Sequence, residues 1–318
     1  MNREAGPRAV SSDPDRQLGD ASFRAPIDDI GQLVRAKQGQ TVTVCIPARN
    51  EEGTLGVISD EIVRVLMKPG SHGAVLVDEL IVVDDRSTDQ TAAIAREAGA
   101  TVIATADATP GSSGGKGNAL WTGLQAATGD LLVFCDADLE SFSFRYITRL
   151  VAPLLLDPAL AFVKGFYDRH EDATGAGGGR TTELSARPLL TLLFPELAFL
   201  RQPLSGEFAG RSDVLREVPF IEGYGVEVGL LVDILRLCGA DAIAQVDLGL
   251  KLHRHRSLAE LSVQATEIAA VLLERAGAWS PGPTGIVVNY GGDSPMSVPF
   301  GERPPMRTVL GFEPVRER

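Results

Sequence analysis

Two carboxylates one residue apart, Asp136 and Asp138, follow the apolar run Leu131-Leu132-Val133-Phe134-Cys135. On an extended segment residues i and i+2 project to the same side, so both can face one ligand. Hard oxygen donors of this kind suit Mg²⁺ or Mn²⁺, ions that bridge the oxygens of a diphosphate. A D-x-D pair taken alone is more often a solvated turn, so its context has to decide. His253 and His255, two of the four histidines, repeat the i, i+2 spacing and could add a metal ligand, although such a pair is more often a polar surface strand. Lys116 stands among Gly114, Gly115 and Gly117, on what reads as a loop, where an ammonium could offset diphosphate charge or simply be solvated. The usual phosphate fingerprints are missing. No G-x-G-x-x-G follows the first strand, and the glycines around Lys116 lack the leading Gly and trailing Ser/Thr of a P-loop.

These groups need elements to hold them. Strand-like runs at Thr41–Pro47, Glu79–Asp84, Thr101–Thr105, Leu131–Cys135 and Leu160–Phe166 alternate with helical patterns, which implies a parallel sheet with crossover helices. Leu55, Ile58, Ile62 and Val65/Leu66 mark an amphipathic helix, and its acidic entry, Glu51 and Glu52, suits the positive helix end. Thr91–Ala98 reads as a helix capped by Asp89, and Asn118–Ala127 as another ending at Gly129. Further on, His170–Arg180 is glycine-rich and reads as a functional loop. It leads to a helix over about Glu183–Leu193, interrupted near Pro188. Then come a helix Gly229–Leu237, a strand Ala242–Leu248 and a long helix Leu258–Arg275. The chain divides into a mobile tail (1–25), a first half (26–168), a second half (169–280) and a Pro/Gly-rich tail (281–318).

Composition narrows the function classes. The 318 residues are 44% hydrophobic and 23% charged, a globular balance, with 30 Lys+Arg against 42 Asp+Glu and a net charge of −12. A general nucleic-acid or anionic-membrane binder needs a basic face, and this chain offers none in bulk. The longest apolar stretches, Leu150–Phe166 and Leu189–Leu200, are cut by Pro153, Asp157, Pro158, Pro195 and Glu196, short of the roughly 18 clean residues of a membrane span. Residues 1–25 have no signal-peptide order. Cys45, Cys135 and Cys238 sit in apolar runs and read as buried thiols, in keeping with a reducing cytoplasm.

The ordered set Ile46-Pro47-Ala48-Arg49-Asn50-Glu51, Val83 to Asp89, Gly115-Lys116-Gly117-Asn118-Ala119 and Asp136-Ala137-Asp138 resembles the nucleotide-sugar domain of GT-A glycosyltransferases. The second half narrows the resemblance. Gly179-Arg180-Thr181-Thr182-Glu183, Pro203 to Gly210, Gly223-Tyr224-Gly225-Val226-Glu227 and His253-Arg254-His255 are similar to the glucosyl-3-phosphoglycerate synthase family. The resemblance implies an α/β fold in which a GT-A-like nucleotide-sugar-binding sheet is flanked by helices and followed by a C-terminal acceptor-binding part. It also implies a retaining, metal-dependent enzyme, a homodimer, that joins glucose from UDP-glucose to 3-phosphoglycerate at the start of methylglucose lipopolysaccharide synthesis.

By the same resemblance Pro47, Ala48 and Glu51 contact uracil and ribose, Asp84 caps the base, Lys116 meets the nucleotide, and Asp136 binds the ribose. Asp138 and His253 hold the metal. Leu204 and Tyr224 line the sugar pocket. Glu227 is the obvious carboxylate for a nucleophile, but a front-face mechanism needs none, and the reading favours a residue that positions glucose hydroxyls. Gly179, Arg180 and Thr182 offer an N–H, a guanidinium and a hydroxyl to the acceptor phosphate, with Lys251 for the acceptor carboxylate and His255 nearby. Three rivals stand beside this. A polyprenyl-phosphate glycosyltransferase shares the first-half motifs but wants a membrane segment. A sugar-1-phosphate nucleotidyltransferase wants a Gly-rich loop where Pro47-Ala48-Arg49 stands. A non-catalytic nucleotide-sugar sensor would have no need of Asp136, Asp138, His253 and Glu227 together.

Overall fold

Uninterrupted apolar runs become strands covered on both faces, and alternation within each run decides which face a side chain serves. The computed structural model describes residues 23–70, 73–108, 114–168, 179–251, 258–282, 285–288, 296–298 and 300–309. In chain order its first half holds β1 (Phe23–Arg24), α1 (Ile30–Ala36), β2 (Val42–Ala48), α2 (Leu55–Leu66), β3 (Glu79–Asp84), α3 (Thr91–Glu97), β4 (Thr101–Ala104), α4 (Thr105–Ala108), α5 (Lys116–Ala126), β5 (Leu131–Phe134), α6 (Arg145–Leu156) and β6 (Phe162–Asp168). The second half adds α7 (Arg187–Leu193), β7 (Phe208–Arg211), α8 (Ser212–Leu215), β8 (Phe220–Ile221), α9 (Val226–Cys238), β9 (Ile243–Leu250), α10 (Leu258–Arg275), β10 (Ile286–Val288), β11 (Met296–Val298) and β12 (Glu302–Arg303).

Eight strands form one sheet in the order β1-β9-β6-β7-β5-β2-β3-β4. Val44, Ile46, Val133 and Val163 enter one core with Leu33 of α1, Ile58 and Ile62 of α2 and Leu150 and Val151 of α6. Their alternates Cys45, Leu132, Phe134 and Phe162 enter the other, with Leu120 and Leu124 of α5, Leu231 of α9 and Leu272 of α10. Residues 26–168 and 169–280 share this sheet, because β7 and β9 pair with β5 and β6.

The sheet is mixed, which corrects the expectation of a parallel one. β7 runs antiparallel to both neighbours, β5 and β6, and its residues Phe-Ala-Gly-Arg carry neither length nor alternation that would mark a strand. Residues Phe23–Arg24, placed in the mobile tail, pair with Gln245 and Val246 as an edge strand; residues 1–22 lie outside the described set. Helix α6 was not foreseen, although Ile147, Leu150, Val151 and Leu154 give it an apolar face. The interruption expected near Pro188 takes another form. A π-turn over Thr182–Ala186 leads straight into α7, and Pro188 sits in the first turn of α7, where the widened turn before it makes room for a ring without an N–H. Cys45 and Cys135 are buried as expected, but Cys238 is exposed at the last residue of α9.

Strand order places the chemistry. From β2 the chain winds outward to β3 and β4, then returns to put β5 on the other side of β2. Ligands of open α/β sheets bind beyond the carboxyl ends of strands at such a reversal. There β2 delivers Pro47 and Ala48, β3 delivers Asp84 and then Asp85, β5 leads to Asp136, and β9 leads to Lys251. Because β7 is antiparallel, its amino end arrives at the same edge and brings Glu207.

A strap closes one wall. β12, inside the stretch read as a C-terminal tail, pairs antiparallel with β8. Arg303 Nε donates to Asn118 Oδ1 at 2.8 Å and meets Glu222 Oε1 at 3.1 Å, Trp121 Nε1 donates to the Pro304 carbonyl at 2.9 Å, and Met306 is fully buried. The strap thereby fastens α5.

Candidate active site

A cavity of about 500 Å³ opens at this edge, a size that suits a nucleotide-sized ligand. Its first wall is two strand exits laced together. Asn50, in the left-handed region at φ 56°, donates its N–H to Ser87 Oγ at 3.0 Å, and its side-chain oxygen accepts from the Thr88 N–H at 2.8 Å. The Glu51 N–H donates to Thr91 Oγ1 at 2.8 Å. Pro47, Ala48 and Glu51 therefore line the cavity on a braced loop. Asp84 does not line it, since its carboxylate accepts the Ser87 N–H at 3.2 Å and shapes the turn. Its neighbour Asp85 does, 6% exposed, accepting from Thr105 Oγ1 at 2.9 Å and from the Gly115 N–H at 3.0 Å.

Lys116 is the first residue of α5 and not a loop lysine. The Gly117 N–H donates to the Glu222 carbonyl at 2.9 Å, and a Cβ at Gly117 would overlap the Ile221 carbonyl, so only glycine lets the helix start this close to β8. That approach aims Lys116 inward. Its Nζ lies 2.9 Å from Asp136 Oδ1 and 2.7 Å from Glu227 Oε1. Glu227, in the first turn of α9, is 4% exposed.

A second ammonium completes the cluster. Lys251, 7% exposed, lies 2.8 Å from Glu207 Oε1 and 3.6 Å from Asp136 Oδ2, over the ring of Tyr167. Glu207 is fully buried and accepts from Ser205 Oγ at 2.8 Å. Burial would raise the Asp136 carboxyl, but Lys116 and Lys251 outweigh it and hold the group well below the usual carboxylate range. Burial likewise opposes the charge on Lys116 and Lys251, and the surrounding carboxylates raise both. Asp138 behaves in the opposite way: burial first, and the Asp136 carboxylate second, push it up.

Gly206 is the contact that makes room for Asp136, because a Cβ there would overlap the Asp136 carboxylate. If Asp136 binds the nucleotide as the resemblance implies, Gly206→Ala is expected to displace that carboxylate and weaken UDP binding by about 10-fold or more, the scale of one lost charge-assisted contact, as titration calorimetry would measure. UDP affinity equal to the parent's would refute this.

The remaining expected residues fall as follows. Tyr224 lines the cavity, 40% exposed, and donates its N–H to Glu267 Oε2 at 2.8 Å; Glu267 also lines it, and burial raises its carboxyl. Leu204 packs half-buried against the core and is not on the lining. Gly179, with φ 97°, accepts the Glu183 N–H at its carbonyl, Arg180 is exposed, and Thr182 is buried at the π-turn. The ammonium of Lys251, expected at the acceptor carboxylate, is engaged by Glu207 and Asp136. His253, His255 and the glycines of 175–178 lie outside the described residues. Missed from the sequence were Asp85, Glu207, Glu267 and a buried lysine in β6, Lys164. A charged residue inside an apolar run was the available signal for Lys164.

Residues 43–218 match the glycosyl transferase family 2. The glucosyl-3-phosphoglycerate synthase of Mycolicibacterium smegmatis is 44% identical over 305 residues, covering 92% of this chain and 98% of its own length. The chain belongs to glycosyl transferase family 2 and, within it, to the glucosyl-3-phosphoglycerate synthases. Solved structures agree. The Mycobacterium tuberculosis synthase in complex with Mn²⁺, UDP-glucose and phosphoglyceric acid superposes with a TM-score of 0.79 at 43% identity, over 89% of this chain and 95% of that one. The same enzyme with Mg²⁺ and UDP also gives 0.79, at 42% identity, over 90% and 98%. The expected α/β fold of this family, a helix-flanked nucleotide-sugar sheet, is therefore the fold of this chain. Among the described residues no helix is long and apolar enough to cross a membrane.

The chain's own donors fit a divalent ion. No group of three His, Cys, Asp or Glu converges among the described residues, but Asp138 faces the cavity with its carboxyl pushed up by burial and by the charge of Asp136. A cation beside it would remove that penalty, and a hard carboxylate oxygen suits Mg²⁺ or Mn²⁺.

Proposed function

We propose that this synthase moves glucose from UDP-glucose to the one free hydroxyl of 3-phosphoglycerate, that on C2, giving glucosyl-3-phosphoglycerate and UDP with retention at the anomeric carbon. The bond between the anomeric carbon and the diphosphate oxygen breaks, a bond to the acceptor oxygen forms, and the acceptor proton leaves on the departing phosphate. The observation that carries this reading is Lys116, an ammonium bridging Asp136 and Glu227 on the wall of the strand-end cavity.

In this reading Pro47, Ala48, Glu51 and Asp85 hold the nucleoside, with Asp84 shaping the turn beneath it, and Asp136 binds the ribose. Lys116 turns to the diphosphate and steadies its charge. Asp138, with His253, would hold Mg²⁺ or Mn²⁺, which supplies charge to the departing diphosphate. Glu227 orients the glucose hydroxyls, and Tyr224 bounds the sugar. Arg180, Thr182 and the Gly179 backbone receive the acceptor phosphate, with His255 and Lys251 toward its carboxylate. The free thiols Cys45, Cys135 and Cys238 accord with a reducing cytoplasm, and a homodimer is part of the reading.

The test is a coupled UDP-release assay on UDP-glucose and Mg²⁺, with and without 3-phosphoglycerate, followed by NMR of the product. Acceptor-dependent UDP release and an α-glucosyl product are expected. Release that ignores the acceptor, or none at all, would overturn the reading.

A further inference from the structure

Three lysines stand in the buried cluster, and one is unlike the others. Lys116 is held by Asp136 and Glu227, and Lys251 by Glu207 and Asp136. Lys164 of β6 is 1% exposed, yet its Nζ has no hydrogen-bond partner among the described residues. Its ammonium lies over the ring of Phe208, 5.0 Å from the centroid. In the sheet Lys164 pairs with Phe208, the residue after Glu207, and with Gln245. Its strand neighbour Val163 enters the opposite core, so Lys164 shares the face of Phe162, the one covered by α5 and α9, which bring Lys116 and Glu227.

A buried ammonium without a hydrogen-bond partner is costly, because a ring face replaces only part of the water it has left. If the position needed only filling, methionine or leucine would fill it at no such cost. Groups retained against stability in this way are found where function needs them. Burial pushes the Lys164 ammonium down to about 8, and Glu227 leads the carboxylates that act against this.

We propose that Lys164 is the positioning residue that holds Glu227 in place when Lys116 is drawn to the donor diphosphate. The proposal rests on the reading that Lys116 meets that diphosphate. Lys116 is then shared between the nucleotide and its two carboxylates, and its contact with Glu227 is the one that must lengthen as the ammonium moves outward. Glu227 is 4% exposed, so water cannot take over. Lys164 has its donors to spare on the same side of the sheet and supplies the missing counter-charge, which keeps the Glu227 carboxylate ordered against the sugar. The two lysines serve one carboxylate in turn.

The test uses the full chain with Lys164→Met, Glu227→Gln and the double variant. Lys164→Met is expected to lower kcat for acceptor-dependent UDP release by about 10- to 100-fold, the scale of one preorganised electrostatic contact, while the KM for 3-phosphoglycerate and the affinity for UDP with Mg²⁺ stay within about 3-fold. Its thermal midpoint without ligands is expected to equal or exceed the parent's. In the Glu227→Gln background the same substitution is expected to cost less than about 3-fold, since the two residues act as one unit. Unchanged kcat in Lys164→Met overturns the proposal, and so does a lowered thermal midpoint with a kcat loss that multiplies in full with that of Glu227→Gln. A parent enzyme without acceptor-dependent turnover overturns the functional reading, and this inference with it.

Discussion

Asp138→Asn is expected to cut glucosyl transfer by about 10²- to 10⁴-fold, because a divalent ion contributes several kcal/mol to a developing diphosphate charge and each 1.4 kcal/mol is a factor of ten. Stability should move the other way. Burial and the Asp136 carboxylate hold the Asp138 carboxyl above its ordinary value. A carboxyl raised on folding binds its proton more tightly in the folded state, so its ionised form weakens the fold at neutral pH. Asparagine removes that charge. In metal-free buffer the variant should therefore melt at or above the parent's midpoint, and chelation of the parent should reproduce its loss of activity, with Mg²⁺ or Mn²⁺ restoring the parent alone. Scanning calorimetry and the UDP-release assay measure the two halves. Full turnover by the chelated parent would refute the metal role.

Lys116→Met is expected to harm both activity and fold. Truncating one partner of a buried charge pair leaves the other uncompensated, at about 3–5 kcal/mol. Here the loss should be nearer 2–4 kcal/mol on the same scale, because Lys251 still stands 3.6 Å from Asp136 and the Lys116 side chain is 20% exposed. In a protein of 318 residues that amounts to about 3–6 °C in the melting midpoint. Catalysis should fall by a further 10²–10³-fold, roughly the value of one preorganised donor to a developing oxyanion. If Lys116 meets the diphosphate as proposed, UDP binding should weaken as well, since the nucleotide then loses the one cation of α5. A variant as stable and as active as the parent would show that the bridge is ornamental.

The first half of the site was legible because its residues are tied to local signals. A D-x-D at a strand end has its own sequence mark, which brings out Asp136 and Asp138, whereas Glu51 carries only the mark of an acidic helix entry and is picked out by the family resemblance. What sequence periodicity does not carry is the partner across the sheet. β7 is a strand because β5 and β6 leave a gap of its width, and its Phe-Ala-Gly-Arg has no pattern of its own. Glu207 is brought to the site only by that antiparallel insertion, and nothing within the segment Pro203 to Gly210 marks it. Asp84 and Asp85 differ by one residue, which on a strand end reverses direction; which of them faces the cavity depends on whether Ser87 or Gly115 supplies the N–H. Lys116 read as loop because glycines break helices, whereas here Gly117 permits the helix by letting it touch β8.

The strap has a consequence for the order in which the site can be completed. Trp121 and Pro304 are 183 residues apart, and Asn118 and Arg303 are 185 apart. The helix that aims Lys116 is thus fastened by chain that emerges long after it, across one of the longest loops the fold contains. A nascent chain that has passed Lys251 already possesses the main sheet and every buried lysine of the cluster, yet α5 still lacks the contacts of the strap. Synthesis of the last strand is what turns a folded sheet into a finished binding site.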